Sequence, residues 1–270
     1  MATYLVTGAN RGLGLEFVRQ FSNELGNTVV ALVRNKAASE KAEPEHLTKP
    51  NVHVLEADLA SFASLQRAAD ETKRITNNKL DYMIANAAFL SEWSAYDDME
   101  TLGQDPEALE KDLLQSFQIN VAGNIHLFNA FLPLIRNGHA KKVVSISTGM
   151  ADIDLIAGYD IAMAGPYSIS KAALNAAVAK YSAQCKQEGI LFMSISPGLV
   201  ETGQAAHATD EQLEKVAVMG RKFATYAPHF TGPISPAESV ASINRVIVSS
   251  SIEGGSGGSF VSHLGTRQWL

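Results

Sequence analysis

Alternation constrains this chain more than any other feature. Apolar, strand-like runs at residues 4–6, 27–33, 52–57, 80–85, 142–147, 191–196 and 259–261 take turns with helical spacing near 12–25, 61–76, 109–135, 167–188 and 236–249. Ser235-Pro236 opens the last helix as an N-cap followed by a first-turn proline. Strands that are apolar on both faces belong in a parallel sheet covered by helices on both sides. The pattern predicts a single α/β domain over 1–270, built on a doubly wound sheet of about seven parallel strands. Right-handed crossovers bring the C-terminal ends of the strands to one edge of that sheet. Functional residues are expected in the loops that follow the strands.

The first such loop is rich in glycine. Thr7-Gly8-Ala9-Asn10-Arg11-Gly12-Leu13-Gly14 joins the first strand to a helix with apolar residues at 17, 18, 21 and 25. A strand–turn–helix junction of this kind aims backbone N–H groups and the positive end of a helix dipole at one spot, where a pyrophosphate can sit. Gly8 suits the tight turn, Gly12 the approach of phosphate to backbone, and Gly14 the close packing of helix on strand. The bland alternative is an ordinary glycine-rich turn. Taken as functional, the junction implies a Rossmann-type dinucleotide fold.

The second strand ends at Arg34, and no acidic residue follows until Glu40. An acid at this place takes the adenosine ribose hydroxyls, whereas an arginine accommodates a 2′-phosphate. Arg11, inside the glycine loop, supplies a second cation. Together they favour NADP(H) over NAD(H), the alternative being two solvated surface arginines. Asp58-Leu59 follows the third strand, where Asp58 suits either an adenine amino group or the cap of the helix opening at Ser61. Asn86-Ala87-Ala88 follows the fourth, with small residues against which a cofactor can lie. Asn86 equally suits knitting the strand ends together.

Three further features converge on chemistry: Asn120 in a helical stretch, the hydroxyl pair Ser147-Thr148 ending the fifth strand, and Tyr167-Ser168-Ile169-Ser170-Lys171 opening the next helix. At i and i+4, Tyr167 and Lys171 share a helix face. A phenol has a reference pKa of about 10, and a neighbouring ammonium is expected to pull it down. Tyr167 is then placed to give a proton to a carbonyl oxygen or to take one back. Alone, a Tyr-x-x-x-Lys pair is a common surface accident; its weight comes from position in this chain.

As a set, these motifs make the whole chain resemble the short-chain dehydrogenase/reductase family. Thr7-Gly8-x-x-x-Gly12-x-Gly14 is similar to that family's cofactor turn, and Asn86-Ala87-Ala88 to its Asn-Ala-Gly element with Ala88 in place of glycine. Asn120, Ser147-Thr148, Tyr167 and Lys171 resemble its catalytic tetrad. Pro197-Gly198, with Val200 and Thr202, resembles the segment that orients the nicotinamide. The resemblance implies an NADP(H)-dependent oxidoreductase acting on a carbonyl or alcohol. In it Lys171 also holds the nicotinamide ribose, and Asn120 anchors a water that passes protons to Lys171. It also implies assembly as a homodimer or homotetramer through helices near 112–135 and 167–187. Aligned on the family's Ser-Ser, the catalytic hydroxyl is Thr148, with Ser147 the second choice. Nineteen positions separate Thr148 from Tyr167, more than is usual there. Residues 149–166 are therefore expected to form a substrate flap, and residues 199–234 a substrate-side segment. A looser resemblance, carried by Gly265-Thr266-Arg267-Gln268-Trp269-Leu270, is to sniffer-like carbonyl reductases and secondary-metabolite ketoreductases.

Candidate pocket walls are Phe89, Leu90 and Trp93, the flap, and Leu199, Val200, Met219, Phe223, Tyr226 and Phe230. They suit a medium-sized hydrophobic or aromatic carbonyl compound, with plain core packing the alternative for about half of them. Arg221 is the one arginine considered for a substrate carboxylate, a surface role being the simpler reading. The reaction expected is carbonyl reduction, with alcohol oxidation, imine reduction and a non-catalytic dinucleotide-binding regulator as alternatives. A net charge of −6, from 22 basic and 28 acidic residues, argues against a nucleic-acid partner. No apolar run reaches the ~20 residues of a membrane span. Cys185, the only cysteine, fits a reducing compartment, and a cytoplasmic location is expected. Seven histidines (46, 53, 126, 139, 207, 229, 263) show no metal-ligand spacing, and Asp152/Asp154 read as a polar loop rather than a metal site.

Overall fold

Valine, isoleucine and leucine crowd the strand segments, and such side chains favour a pleated, buried surface. The computed structural model describes residues 1–203 and 208–270; positions 204–207, His207 among them, lie outside the described residues. The strands are β1 (Thr3–Thr7), β2 (Thr28–Val33), β3 (Val52–Glu56), β4 (Tyr82–Ala85), β5 (Lys142–Ile146), β6 (Leu191–Ser196) and β7 (Phe260–Ser262). They form one seven-stranded sheet in the order β3-β2-β1-β4-β5-β6-β7, parallel throughout. After β1 the chain steps outward to β2 and β3, then returns to place β4 on the other side of β1. Loops leaving β1 and β4 diverge there, and an open α/β sheet has its natural crevice at such a reversal.

The helices are α1 (Gly12–Phe21), α2 (Lys36–Ala42), α3 (Pro44–Leu47), α4 (Phe62–Ile75), α5 (Met99–Leu102) and α6 (Pro106–Phe117). They continue as α7 (Asn124–Arg136), α8 (Ile153–Gly158), α9 (Gly165–Cys185), α10 (Asp210–Tyr226) and α11 (Pro236–Ser249). Successive strand residues point to opposite faces, so each strand feeds two cores. On one face Val30, Met83, Val143 and Phe192 meet Leu65 of α4, Phe128 of α7 and Leu174 of α9. On the other, Val29, Ile84, Val144 and Ile195 meet Phe17 of α1 and Ile243 of α11. A third, smaller core of Leu155, Ile161, Phe223 and Trp269 lies beyond the end of the sheet. Among the described residues, no helix is long and apolar enough to cross a membrane.

Element boundaries differ from the sequence reading in instructive places. The helix expected over 109–135 is α6 and α7 joined by a π-helical segment, Gln118–Gly123. There the side chain of Asn120 turns inward to bond the loop after β4. Gly123 in the same segment lies hard against that side of the site, since a Cβ on it would fall 2.6 Å from the Leu59 carbonyl oxygen. The first helix stops at Phe21 rather than 25, and Leu25 is left 76 % exposed. Helices α2, α3, α5 and α8 run seven residues or fewer, too short to show an apolar period, and α10 falls in the stretch 199–234 expected as a substrate-side segment. Capping sets two of the helix starts: Thr209 with Gln212 opens α10, and Ser235 with Glu238 opens α11 behind Pro236.

Candidate active site

The end of β1 builds the floor of the site. Gly8 has φ +65°, and a Cβ there would approach Ala87 Cα to 3.0 Å. Gly14 is tighter still, because a Cβ would sit 2.1 Å from the Gly8 carbonyl oxygen, so only glycine lets α1 lie this close to β1. No side chain caps α1, and its first turn holds no acid, so its amide groups and dipole remain free for an anion. Above this turn opens a cleft of about 690 Å³. Thr7, Gly8, Asn10, Arg11, Gly12 and Leu13 form one wall; Asn86, Ala87, Ala88, Phe89 and Leu90 form the opposite one. Thr202 closes over Gly12, its methyl 3.8 Å from where a Cβ would be.

Strand ends are tied together beneath the cleft. Asn86 Nδ2 donates to the Thr7 carbonyl (2.9 Å), while Thr7 Oγ1 accepts from the backbone N–H groups of Asn86 and Ala87 (3.0 and 2.9 Å). Asn86 thus knits β1 to β4 and also lines the cleft. At the far end Arg34, Asp58 and Leu59 line it. Asp58 does not cap α4: Ser61 does that by accepting from the Ser64 amide, and Asp58 holds the preceding turn through Ala60 N (2.9 Å). Arg11 and Arg34 are both exposed, and among the described residues neither enters an ion pair. Sequence reasoning missed Leu32, Val33, Ala57 and Ile119, which also face the cleft. They end strands or start the π-helical segment, and in a string of letters such residues look like core.

Tyr167 faces this same cleft from the first turn of α9. Lys171, one turn on, is 1 % exposed, with its Nζ 5.8 Å from the centroid of the Tyr167 ring. That ammonium donates to the Ile146 carbonyl at 2.7 Å, which ties α9 to the end of β5 directly before the hydroxyl pair. Ser147 is buried and its Oγ has no partner in the protein, whereas Thr148 is partly exposed and its Oγ1 accepts from Met150 N (3.3 Å). Asn120 is fully buried: its Oδ1 accepts from Phe89 N (2.7 Å), and its Nδ2 donates to Phe89 O (2.8 Å) and Ser170 Oγ (2.9 Å). Ser170 in turn donates to the Tyr167 carbonyl (2.7 Å). Ser170, which sequence reasoning passed over, therefore links Asn120 to the turn that carries Tyr167.

The electrostatics correct one expectation. Burial pushes the Tyr167 phenol up to about 12 and the Lys171 ammonium down to about 8. The ammonium was expected to lower the phenol, but losing water disfavours both charged forms, and Lys171 points at the Ile146 carbonyl rather than at the phenol oxygen. Lys171 is closed off almost completely, while Tyr167 keeps an opening to the cleft.

Other candidates fall elsewhere. Pro197 and Gly198 do not line the cleft: the Pro197 carbonyl accepts from Ser239 Oγ (2.7 Å), and Gly198 faces the His263 ring. Val200 bridges to Ile234. Trp93 turns outward, 41 % exposed. Residues Ile161, Ala162 and Met163 line a second hollow of about 240 Å³ with Tyr96, Val218 and Met219. The Asp97–Lys215 ion pair (2.6 Å) spans that hollow. Leu199, Phe223, Tyr226 and Phe230 instead pack into the third core around Trp269, so core packing wins for them. Arg221 is exposed and unpaired among the described residues. Asp152 caps α8 and pairs with Arg267 (2.8 Å), which accounts for it without a metal.

A glycine-turned crevice at the sheet reversal, with a buried lysine behind a tyrosine on its wall, defines a dinucleotide-binding α/β oxidoreductase scaffold. A profile of the short chain dehydrogenase family matches residues 2–213. The chain belongs to that family. It is 50 % identical over 271 residues to the short chain dehydrogenase virK of Hypocrea virens, and 44 % identical over 272 residues to the short-chain dehydrogenase/reductase iacC of Pestalotiopsis fici. In both comparisons all of each chain is covered. Among solved structures it is similar to the NADPH-bound carbonyl reductase from chicken fatty liver, with TM-score 0.77, 23 % identity and 98 % of both chains covered. The carbonyl reductase Sniffer of D. melanogaster gives TM-score 0.76 at the same identity and coverage. These structural likenesses bear on the fold.

Proposed function

We propose that the protein reduces a ketone or aldehyde on a medium-sized hydrophobic or aromatic substrate, with NADPH as cofactor. The observation that carries this reading is that Tyr167, backed by buried Lys171, faces the same cleft as the uncapped α1 turn. The cleft fits the cofactor: its glycines leave room at the backbone and its helix end is free for the pyrophosphate, while Arg11 and Arg34, in no ion pair among the described residues, support a 2′-phosphate and hence NADPH. When bound, NADPH supplies the hydride. Tyr167, neutral far past physiological pH, gives its O–H proton to the substrate's carbonyl oxygen. Lys171, mostly charged below about 8, holds the ribose, while its bond to the Ile146 carbonyl keeps the Tyr167 turn against the end of β5. Thr148, or Ser147 beside it, donates a hydrogen bond to the same oxygen. Asn120 acts here by holding the Phe89 loop and, through Ser170, the Tyr167 turn.

On this reading residues 149–166 and the described part of 199–234 flank the substrate. The same proposal includes a cytoplasmic homodimer or homotetramer, supported by Leu114 and Phe117 of α6 and Ile169 of α9, which stand 64, 50 and 50 % exposed. Replacing Tyr167 by Phe tests the chemistry. NADPH should bind within about twofold of wild type while turnover on a carbonyl panel falls by at least ~100-fold, the usual weight of a positioned acid. Wild-type turnover in the variant would remove Tyr167 from its role.

A further inference from the structure

Residues 266–269 cross from the end of the sheet to three parts of the substrate side, and each contact is specific. Trp269 is buried at 3 % exposure, stacks on Phe260 with centroids 4.3 Å apart, and donates its backbone N–H to Tyr226 Oη (3.0 Å). Tyr226 sits at the end of α10, and its own hydroxyl donates back to the Arg267 carbonyl (3.3 Å). The Trp269 side chain also fills the space beside Gly149, where a Cβ would lie 2.7 Å from Trp269 Cβ and 3.0 Å from its Cγ. Gly149 directly follows Thr148 and starts the 3-10 turn whose first N–H bond goes to Thr148 Oγ1. Arg267 reaches past this turn to Asp152, Nη2 to Oδ2 at 2.8 Å, while Asp152 Oδ1 caps α8 through Asp154 N (2.9 Å). Burial alone would raise the Asp152 carboxyl, yet the guanidinium and the amides of Asp154 and Leu155 hold it below its usual value. It stays charged, and the clasp stays closed.

We infer that residues 266–269 form a positioning strap: Trp269 and Arg267 hold the Gly149 turn and the start of α8 so that the Thr148 hydroxyl keeps its aim, and thereby set turnover without touching the substrate. The inference rests on the reductase reading above, with Thr148 as the hydroxyl that bonds the carbonyl oxygen. A one-ångström displacement of such a group costs rate far more than it costs binding. None of the strap residues lines the 690 Å³ cleft, so cofactor affinity should not follow them.

Substitutions at three positions test this on the full chain. Trp269→Ala should lower kcat about 30-fold while KM for the carbonyl and Kd for NADPH move less than threefold. Trp269→Phe, which keeps an aromatic ring over Phe260, should recover kcat to within about threefold of wild type. Arg267→Met should lower kcat about tenfold, and Arg267→Lys should restore most of it. Gly149→Ala adds a Cβ that meets Trp269 Cβ and Cγ, so combining it with Trp269→Gly, which removes both atoms, should cost kcat less than the product of the two single losses. An active wild type whose Trp269→Ala and Arg267→Met forms keep kcat within twofold removes the strap alone. Equal losses in kcat and NADPH affinity, or strictly additive effects in the Gly149/Trp269 pair, also overturn it, because they mark general loosening. A wild type that oxidises no NADPH with any carbonyl removes the reductase reading, and the strap falls with it.

Discussion

On the proposed reading, cofactor choice rests on two side chains, Arg11 and Arg34, whose effect can be sized from the structure. Both guanidinium groups stand exposed at the rim of the 690 Å³ cleft, and among the described residues neither is in an ion pair. A charge-assisted hydrogen bond contributes about 1.5–3 kcal/mol, and solvent at the rim keeps each near the lower part of that range. Taking about 2 kcal/mol, Arg34→Ala should weaken NADPH binding roughly 30-fold. Because both arginines would grip one phosphate, the double variant should lose more than about 30-fold but less than the roughly 900-fold product. NADH lacks that phosphate, so its Kd should move less than twofold in either variant. Titration of NADPH and NADH by fluorescence at two salt concentrations reads all of this, and the wild-type preference should shrink as salt screens the rim. Equal losses for the two cofactors, or a loss of NADPH affinity under threefold, would refute the assignment.

Gly14→Ala should destabilise the protein by about 3 kcal/mol, an overpacking cost set by the 2.1 Å contact with the Gly8 carbonyl. Thermal unfolding should show a drop in Tm of roughly 6–12 °C, while Gly158→Ala, with nothing within 4 Å of the new methyl, should leave it unchanged. Lys171 makes a pH prediction with two opposite slopes. Its folded pKa of about 8 lies below the ordinary 10.5, so between these values the unfolded chain holds more protons. Its contribution to stability therefore rises with pH across that window, while carbonyl reduction declines as the ammonium is lost. At neutral pH the buried charge costs about 3 kcal/mol, from 1.36 kcal/mol per pKa unit. Lys171→Met should relieve that cost, less about 1 kcal/mol for the lost bond to the Ile146 carbonyl, so the inactive variant should melt higher than wild type.

Much of this was legible in the sequence for local reasons. β-Branched runs specify strands wherever they are buried, which is why the sheet could be read strand by strand. The glycine turn was legible because Gly8 takes a positive φ and Gly14 meets the Gly8 carbonyl a few residues away, and Tyr167 and Lys171 because one helical turn fixes their relation. What stayed hidden depends on contacts between distant parts of the chain. The inward turn of Asn120 that accompanies the π-helical segment is made with Phe89 and Ser170, 31 and 50 positions away. Tyr226 and Phe223 looked like pocket walls, yet Trp269 claims them for a third core, and no spacing rule connects residue 269 to Gly149. The direction of the Tyr167 shift was misread because helical spacing says that the lysine is near, but not that its Nζ is spent on Ile146.

Single-turnover transfer from NADPH deuterated at the reactive C4 position bears most directly on the central claim. Wild type should deliver deuterium to the carbinol carbon of a reduced aromatic ketone, and Tyr167→Phe should bind the same cofactor yet transfer at least ~100-fold more slowly. Deuterium transfer at an undiminished rate without the phenol, or no transfer by the wild type to any ketone or aldehyde tried, would contradict the account.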